Sequence, residues 1–135
     1  MTAVQVGDVR ELVLTDDVTR TQLVQYSGAS GDYNPLHSDE RFAVEVAGFP
    51  SVFAHGMLTM GFTGRVLTDW FGPAGLVRFG VRFVNPVWPG DTLTASATVT
   101  AVREEGGQRF ADLTVTTTNQ DGTPVVAGTA IARLA

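Results

Sequence analysis

Residues 55–70 read His-Gly-Met-Leu-Thr-Met-Gly-Phe-Thr-Gly-Arg-Val-Leu-Thr-Asp-Trp, a helical stretch with no polar face. Met57, Leu58, Met60, Phe62, Val66, Leu67 and Trp70 point to every side of the wheel. The only charges are Arg65 and Asp69, spaced i and i+4 so that they can pair. A helix that is apolar all round is a buried helix. Gly56, Gly61 and Gly64 each cost about 1 kcal/mol against alanine in such a segment. Their return is close approach by neighbouring backbone. Gly72-Pro73 ends the helix. Whatever this chain folds into has to enclose this segment.

The enclosure comes from the second half. Val77, Phe79, Val81 and Phe83 alternate with Arg78, Gly80 and Arg82. Leu93, Ala95, Ala97, Val99 and Ala101 alternate with Thr94, Ser96, Thr98 and Thr100. Ala111, Leu113 and Val115 alternate with Asp112, Thr114 and Thr116, and residues 124–134 form a last Val- and Ala-rich run. Period-two alternation of this length marks half-buried antiparallel strands. Glu104-Glu-Gly-Gly107 and Asn119-Gln-Asp-Gly122 supply the hairpin turns. Asn85-Pro86 and Trp88-Pro89-Gly90 punctuate the first link. A single sheet buries an all-apolar helix only by curling around it. The predicted class is α+β: a long curved antiparallel meander wrapped around a central buried helix, in one domain over residues 1–135. Its outer face and edges need cover, which predicts a dimer.

The first half reads as a strand over Gly7–Thr15, with Val9, Leu12, Val13 and Leu14. A capping box at Thr19 and Gln22 then opens a helix through Leu23, Val24 and Tyr26 that fails at Gly28. Ser38 is placed to cap a second short helix with Phe42, Ala43 and Val46 on one face. Between the two lies Ser30-Gly-Asp-Tyr-Asn-Pro-Leu-His37. It sets an acid, Asp32, five positions before a histidine, His37, with turn-forming Asn34 and φ-locking Pro35 between them. A carboxylate and an imidazole on stiff backbone are the parts of a general acid–base pair. A cis-proline turn or an Asx-turn explains Gly-Asp-Tyr-Asn-Pro equally well, but neither needs His37.

Composition narrows the chemistry. All nine cationic residues are Arg, and the chain contains no Lys and no Cys. Schiff-base chemistry, a phosphate-loop lysine, a thiol nucleophile and thiolate metal ligation are therefore excluded. With two histidines and no cysteine, no metal site is expected. A net charge of −5 with scattered arginines argues against nucleic acid. No apolar run approaches the roughly 18 residues of a membrane span. The N-terminal stretch has neither a basic nor an apolar leader region, so the expected compartment is the cytoplasm.

A second candidate feature is His55-Gly56, where the central helix begins. Free N–H groups and the positive helix end can hold a developing oxyanion, and Gly56 lets a carbonyl approach. A helix start that needs a polar cap gives the same pattern. Ser51 in Pro50-Ser51-Val52 lacks the nucleophile-elbow pattern. Asp39, Glu40 and Glu45 read as a solvated face. Met57, Met60 and Phe62 read as core, with part of the cluster open to a role in lining an acyl tunnel. Arg78 and Arg82 share a strand face, as surface charge or as an attraction for carrier phosphates.

The segment Tyr26–Ala43, with Ser30-Gly31-Asp32-x-Asn34-Pro35-Leu36-His37 and Ala43 six positions on, resembles the signature of the MaoC-like (R)-specific enoyl hydratases and dehydratases. Ala29 departs from the larger aliphatic or glycine usual there. Ala54-His55-Gly56-Met57-Leu58 resembles a second block of the same family. Leu58–Gly61, Thr68–Trp70 and Val81–Phe83 look like the actinobacterial 3-hydroxyacyl-carrier-protein dehydratase subunit. The resemblance implies a hot-dog fold and (R)-specific hydration of trans-2-enoyl thioesters, or the reverse dehydration, in fatty acid metabolism. It implies Asp32 and His37 as catalytic dyad, Gly56 N–H with His55 at the thioester carbonyl, and Asn34 fixing the loop. It implies no cofactor of the protein's own, the substrate riding on CoA or an acyl-carrier protein. It also implies a homodimer, or a heterodimer with a related hot-dog subunit. Gly64 stands where some hydratases carry a serine. Two other readings stay open: a hot-dog thioesterase, which would use a carboxylate on the central helix where only Asp69 is present, and a non-catalytic acyl-binding subunit, which would lack the dyad.

Overall fold

The computed structural model describes residues 4–135. The first three residues, part of the stretch read for a leader, lie outside the described residues. Strand β1 spans Val9–Thr15 and helix α1 spans Arg20–Ser30. The capping box forms as read: Thr19 Oγ1 accepts from Gln22 N–H at 3.1 Å and Gln22 Oε1 accepts from Thr19 N–H at 2.9 Å. Gly28 does not end the helix. Gly31 does, at φ 76°, with its N–H on the Ser27 carbonyl.

A 3-10 turn over Pro35–His37 and a π-helical turn over Phe42–Val46 follow. The second turn is led by Asp39, whose Oδ1 accepts from Phe42 N–H at 3.1 Å, and not by Ser38. Its wider winding rotates Val46 out of the expected apolar face, so Val46 is exposed while Ala43 is buried. Glu40 is more than a solvated acid. It binds Arg20 and accepts from Val52 N–H, tying α1 to the segment before the central helix. The Arg20 hydrogen bond holds its carboxyl below the usual range, against the opposing effect of desolvation.

Helix α2 spans Gly56–Phe71, and strands β2 (Leu76–Phe83), β3 (Leu93–Glu105), β4 (Gln108–Thr118) and β5 (Pro124–Arg133) complete the chain. All pairings are antiparallel, in the order β1-β3-β4-β5-β2. The expected simple meander is therefore only β3-β4-β5. After α2, β2 joins the far edge beside β5, leaving β1 as the other edge. Alternation identifies a strand but does not name its neighbour. Register shifts at Val13/Thr15, Leu76/Arg78 and Val99/Ala101 help curve the sheet. The hairpin between β3 and β4 turns on Gly106 and Gly107, both at positive φ.

The inner sheet face presents small side chains to α2: Ala95, Ala97, Ala111, Ala130 and Ala132, with Val99, Leu113 and Val115 between them. A fully buried polar tie crosses this interface. Thr63 Oγ1 meets Thr117 Oγ1 at 2.7 Å, both fully buried, and also bonds to the Thr59 carbonyl. Gly128 sits opposite Val81 in the β2–β5 pair, and a Cβ there would come within 2.1 Å of the Gly80 carbonyl oxygen. Only glycine fits that crossing.

The enclosure of α2 is one-sided within this chain. Thr59, Thr63, Val66 and Leu67 are buried, whereas Met57, Gly61, Arg65 and Asp69 form an exposed i, i+4 stripe. The expectation of a helix buried on every side fails for the single chain. Arg65 and Asp69 do not pair either, because Arg65 Nη1 donates to the Leu14 carbonyl at 3.0 Å.

Candidate active site

The octet closes as three nested turns. Ser30 Oγ accepts from Asp32 N–H, Asp32 Oδ1 accepts from Asn34 N–H at 3.2 Å, and Asn34 Oδ1 accepts from Leu36 N–H at 3.0 Å. The Asn34 carbonyl then accepts from His37 N–H. Asn34 thus touches both Asp32 and His37, through its main chain on each side. The described residues contain no cis peptide bond, so these Asx-turns and the 3-10 turn bend the loop rather than a cis Pro35.

The loop delivers His37 inward and leaves Asp32 outward. His37 is 9% exposed, and its Nδ1 lies 2.7 Å from the Phe53 carbonyl. A carbonyl only accepts, so Nδ1 carries the proton and Nε2 is left for chemistry. That Nε2 lies 3.9 Å from Asp32 Oδ2, and the Asp32 side chain is 52% exposed. The separation exceeds a direct hydrogen bond and suits one molecule held between the two atoms.

His55 and Gly56 reach the same place from the start of α2. The His55 ring stacks on the His37 ring with centroids 3.8 Å apart. Its Nε2 lies 3.2 Å from the Asp32 carbonyl and 3.1 Å from Ser27 Oγ. Burial holds His55 below the usual histidine range, opposed by its bond to the Asp32 carbonyl and reinforced by nearby His37. His55 provides no side-chain cap to α2, so its first-turn N–H groups are not claimed by that ring. Gly56 opens onto a cavity of about 320 Å³ that is also lined by Phe53, Thr59, Phe83, Asn85 and Val126.

Asp32, His37 and His55 offer ligating atoms within 4.8 Å of one another. His55 Nε2 is already engaged by the Asp32 carbonyl and Ser27. Met57 is 58% exposed, and neither it nor Met60 nor Phe62 lines the cavity, so the acyl-tunnel role weighed for that cluster has no counterpart there.

The profile of the MaoC-like domain family matches residues 2–121. The chain belongs to that family. The (R)-specific enoyl-CoA hydratase of Aeromonas caviae is 34% identical to this MaoC-like chain over 115 residues, 84% of each protein. A solved (R)-hydratase from A. caviae involved in PHA biosynthesis superposes with a TM-score of 0.83 at 30% identity, covering 100% of both chains. These neighbours share the hot-dog architecture of one antiparallel sheet around a helix. The 3-hydroxyacyl-thioester dehydratase Y of Mycobacterium tuberculosis is 47% identical over 68 residues, 48% of this chain and 23% of that protein. The chain spans less than a third of the length of the first curated relatives it matches. A structure of the ChsH1–ChsH2 complex from M. tuberculosis has a TM-score of 0.81 at 28% identity and covers 100% of both chains. Heteromeric assemblies thus occur among the neighbours of this MaoC-like fold.

Sequence reading brought Asp32, Asn34, His37, His55 and Gly56 to one site, and the structure gathers all five. It missed Phe53, Ser27 and Phe83. Phe53 acts through its carbonyl, which no side-chain pattern announces. Ser27 lay inside a helix with nothing to mark its partner. Phe83 read only as one step of an alternating strand. Among the described residues, no helix is long and apolar enough to cross a membrane.

Proposed function

We propose that this MaoC-like domain adds water to trans-2-enoyl thioesters and removes it from (R)-3-hydroxyacyl thioesters, with Asp32 and His37 as the acid–base dyad. The observation that carries the reading is the free Nε2 of His37 facing Asp32 Oδ2 beside the unclaimed N–H of Gly56. An acid, a base and an oxyanion donor are what addition of water conjugate to a carbonyl requires.

In the hydration direction, Asp32 and His37 hold one water between them against C3. Its oxygen forms the C3–O bond, and Asp32 takes its proton. The C2–C3 π electrons shift onto the thioester oxygen as an enolate, which Gly56 N–H stabilises. Protonated His37 gives its Nε2 proton to C2. The proton on Asp32 then passes to His37 Nε2 through the next water held between them, which restores the starting charges. Dehydration reverses each step. The chemistry uses carboxylate, imidazole and amide alone, so the protein needs no cofactor, and the acyl group arrives on CoA or an acyl-carrier protein. The 320 Å³ cavity at Gly56 is apolar on most sides and suits the acyl chain.

The assembly is a dimer, with a second copy or with a related hot-dog subunit. Strand β2 is an unpaired sheet edge that exposes Val77 and Phe83, and the open stripe of α2 lies in the same chain. Hydrolysis by a helix carboxylate has little support. Asp69 is the only acid on α2 and lies thirteen positions along it, roughly 20 Å from Gly56.

The deciding experiment follows enoyl absorbance and free thiol together on crotonyl-, octenoyl- and dodecenoyl-CoA. Loss of the enoyl signal without thiol release is the expected result. Thiol release with the enoyl signal intact would replace hydration by hydrolysis.

A further inference from the structure

His55 has no task in the mechanism above, yet it is 2% exposed and touches both members of the dyad. The Asp32 carbonyl can only accept, so the proton of His55 sits on Nε2 and is directed at that oxygen, with Ser27 Oγ sharing it. Nδ1 is buried and has no hydrogen-bond partner. A proton there would be a buried, unsatisfied donor. The geometry therefore admits one form of the ring, neutral with Nε2 protonated.

A face and an aromatic edge contact of that ring are also fixed. One lies against His37 at 3.8 Å with planes 27° apart, and Tyr26 meets the ring edge-on at 4.8 Å. The groups facing His55 are thus His37, Tyr26, Ser27 and Asp32. None of these contacts opens toward the cavity, and His55 does not line it.

We propose that His55 is a positioning residue for the dyad: its neutral ring fixes the Asp32 main chain through Nε2–H and fixes the plane of His37 by stacking. This assignment rests on the acid–base reading of Asp32 and His37 and replaces the substrate contact expected of His55. One imidazole sets the base from both sides. Its bond to the Asp32 carbonyl places the carboxylate, while its face keeps His37 Nε2 aimed at that carboxylate. Because the ring is neutral, it supports a charged His37 without a second positive charge stacked on it.

The test uses the full chain and two variants that separate the roles. His55→Gln keeps an amide N–H that can reach the carbonyl but removes the stacking face. His55→Phe keeps a face but removes the donor. Each is expected to lower kcat on crotonyl-CoA about 10- to 100-fold with KM changed less than about twofold, as for a misplaced catalytic group. A raised KM with unchanged kcat would mean that His55 binds substrate, and unchanged kinetics in both variants would remove the role.

A second measurement does not need substrate. The chain has two histidines, so ¹⁵N side-chain spectra of wild type assign fully with His37→Gln as reference. His55 should show a protonated Nε2 and a bare Nδ1 at pH 7. A ring protonated on Nδ1, or on both nitrogens, overturns the proposal. A wild type that hydrates no enoyl thioester would sink the functional reading instead, and the spectra would still decide the state of His55.

Discussion

The ring of Phe83 stands against Gly56 so closely that a Cβ on residue 56 would come within 2.8 Å of it. The first residue of the central helix and the last residue of an edge strand thus share the cavity mouth. Gly56 is needed here for approach and not for an unusual φ. Gly56→Ala should displace Phe83 and cover the N–H that the thioester oxygen would use. Loss of one oxyanion donor typically costs 10²–10³ in rate, so kcat should fall by about that factor. Phe83 is a half-exposed side chain that can give way, so the melting temperature should drop by only a few degrees. Steady-state kinetics and calorimetry on the same variant check both halves.

Asp32→Asn keeps the acceptor for Asn34 N–H and removes only the charge. Turnover should fall about 10²–10⁴-fold while stability changes by less than about 0.5 kcal/mol, since the side chain is largely solvated. His37→Ala should lose as much activity and about 1–3 kcal/mol of stability, because the partly buried Phe53 carbonyl loses its partner. Denaturant melts distinguish the pair.

Stability should decline in mild acid because of His55. Its folded-state affinity for a proton is lowered by burial, so below the ordinary histidine value of about 6.5 the unfolded chain binds a proton that the folded chain refuses. The stability is fully present above that value and is lost as pH falls toward the lowered one. The slope contributed is at most about 1.4 kcal/mol per pH unit. Urea melts at pH 7, 6 and 5 should show this slope, and His55→Gln should flatten it. An equal slope in the variant would place the acid sensitivity elsewhere.

Thr63→Val removes the hydroxyl that Thr117 meets in the core, which should destabilise the fold by about 1–3 kcal/mol. Adding Thr117→Val should return much of that loss, because the orphaned polar atom disappears with its partner. A double-mutant cycle with no coupling would show that the two hydroxyls act independently.

The open edge of β2 predicts that the protein runs at twice its chain mass in solution, alone or with a related subunit. Sedimentation of the wild type beside Val77→Asp should show a dimer weakened by the variant, since Val77 is half-exposed on that edge.

Much of this was legible in residue patterns because it is local. The octet carries its own turn chemistry, so Asp32, Asn34 and His37 were found together. The apolarity of α2 and the alternation of β3, β4 and β5 predict a sheet around a helix. What escaped depends on return of the chain from a distance. Whether β2 pairs with β3 or β5 is decided by its passage after α2, not by its own residues. The stack of His37 on His55 joins positions eighteen apart through a segment held by Glu40, Arg20 and Val52. The open stripe of α2 is equally unreadable, because an apolar side chain buried by its own fold and one kept for a partner have the same chemistry.

Gly128 lies on β5, outside the cavity lining, yet β2 can cross it only because it has no side chain. The same strand ends in Phe83, the wall against Gly56. A single added methyl at 128 would run into the Gly80 carbonyl oxygen, so β2 could not keep its pairing with β5 there. The strand that carries one wall of the site is therefore held in place by the absence of a side chain at a position outside the cavity lining.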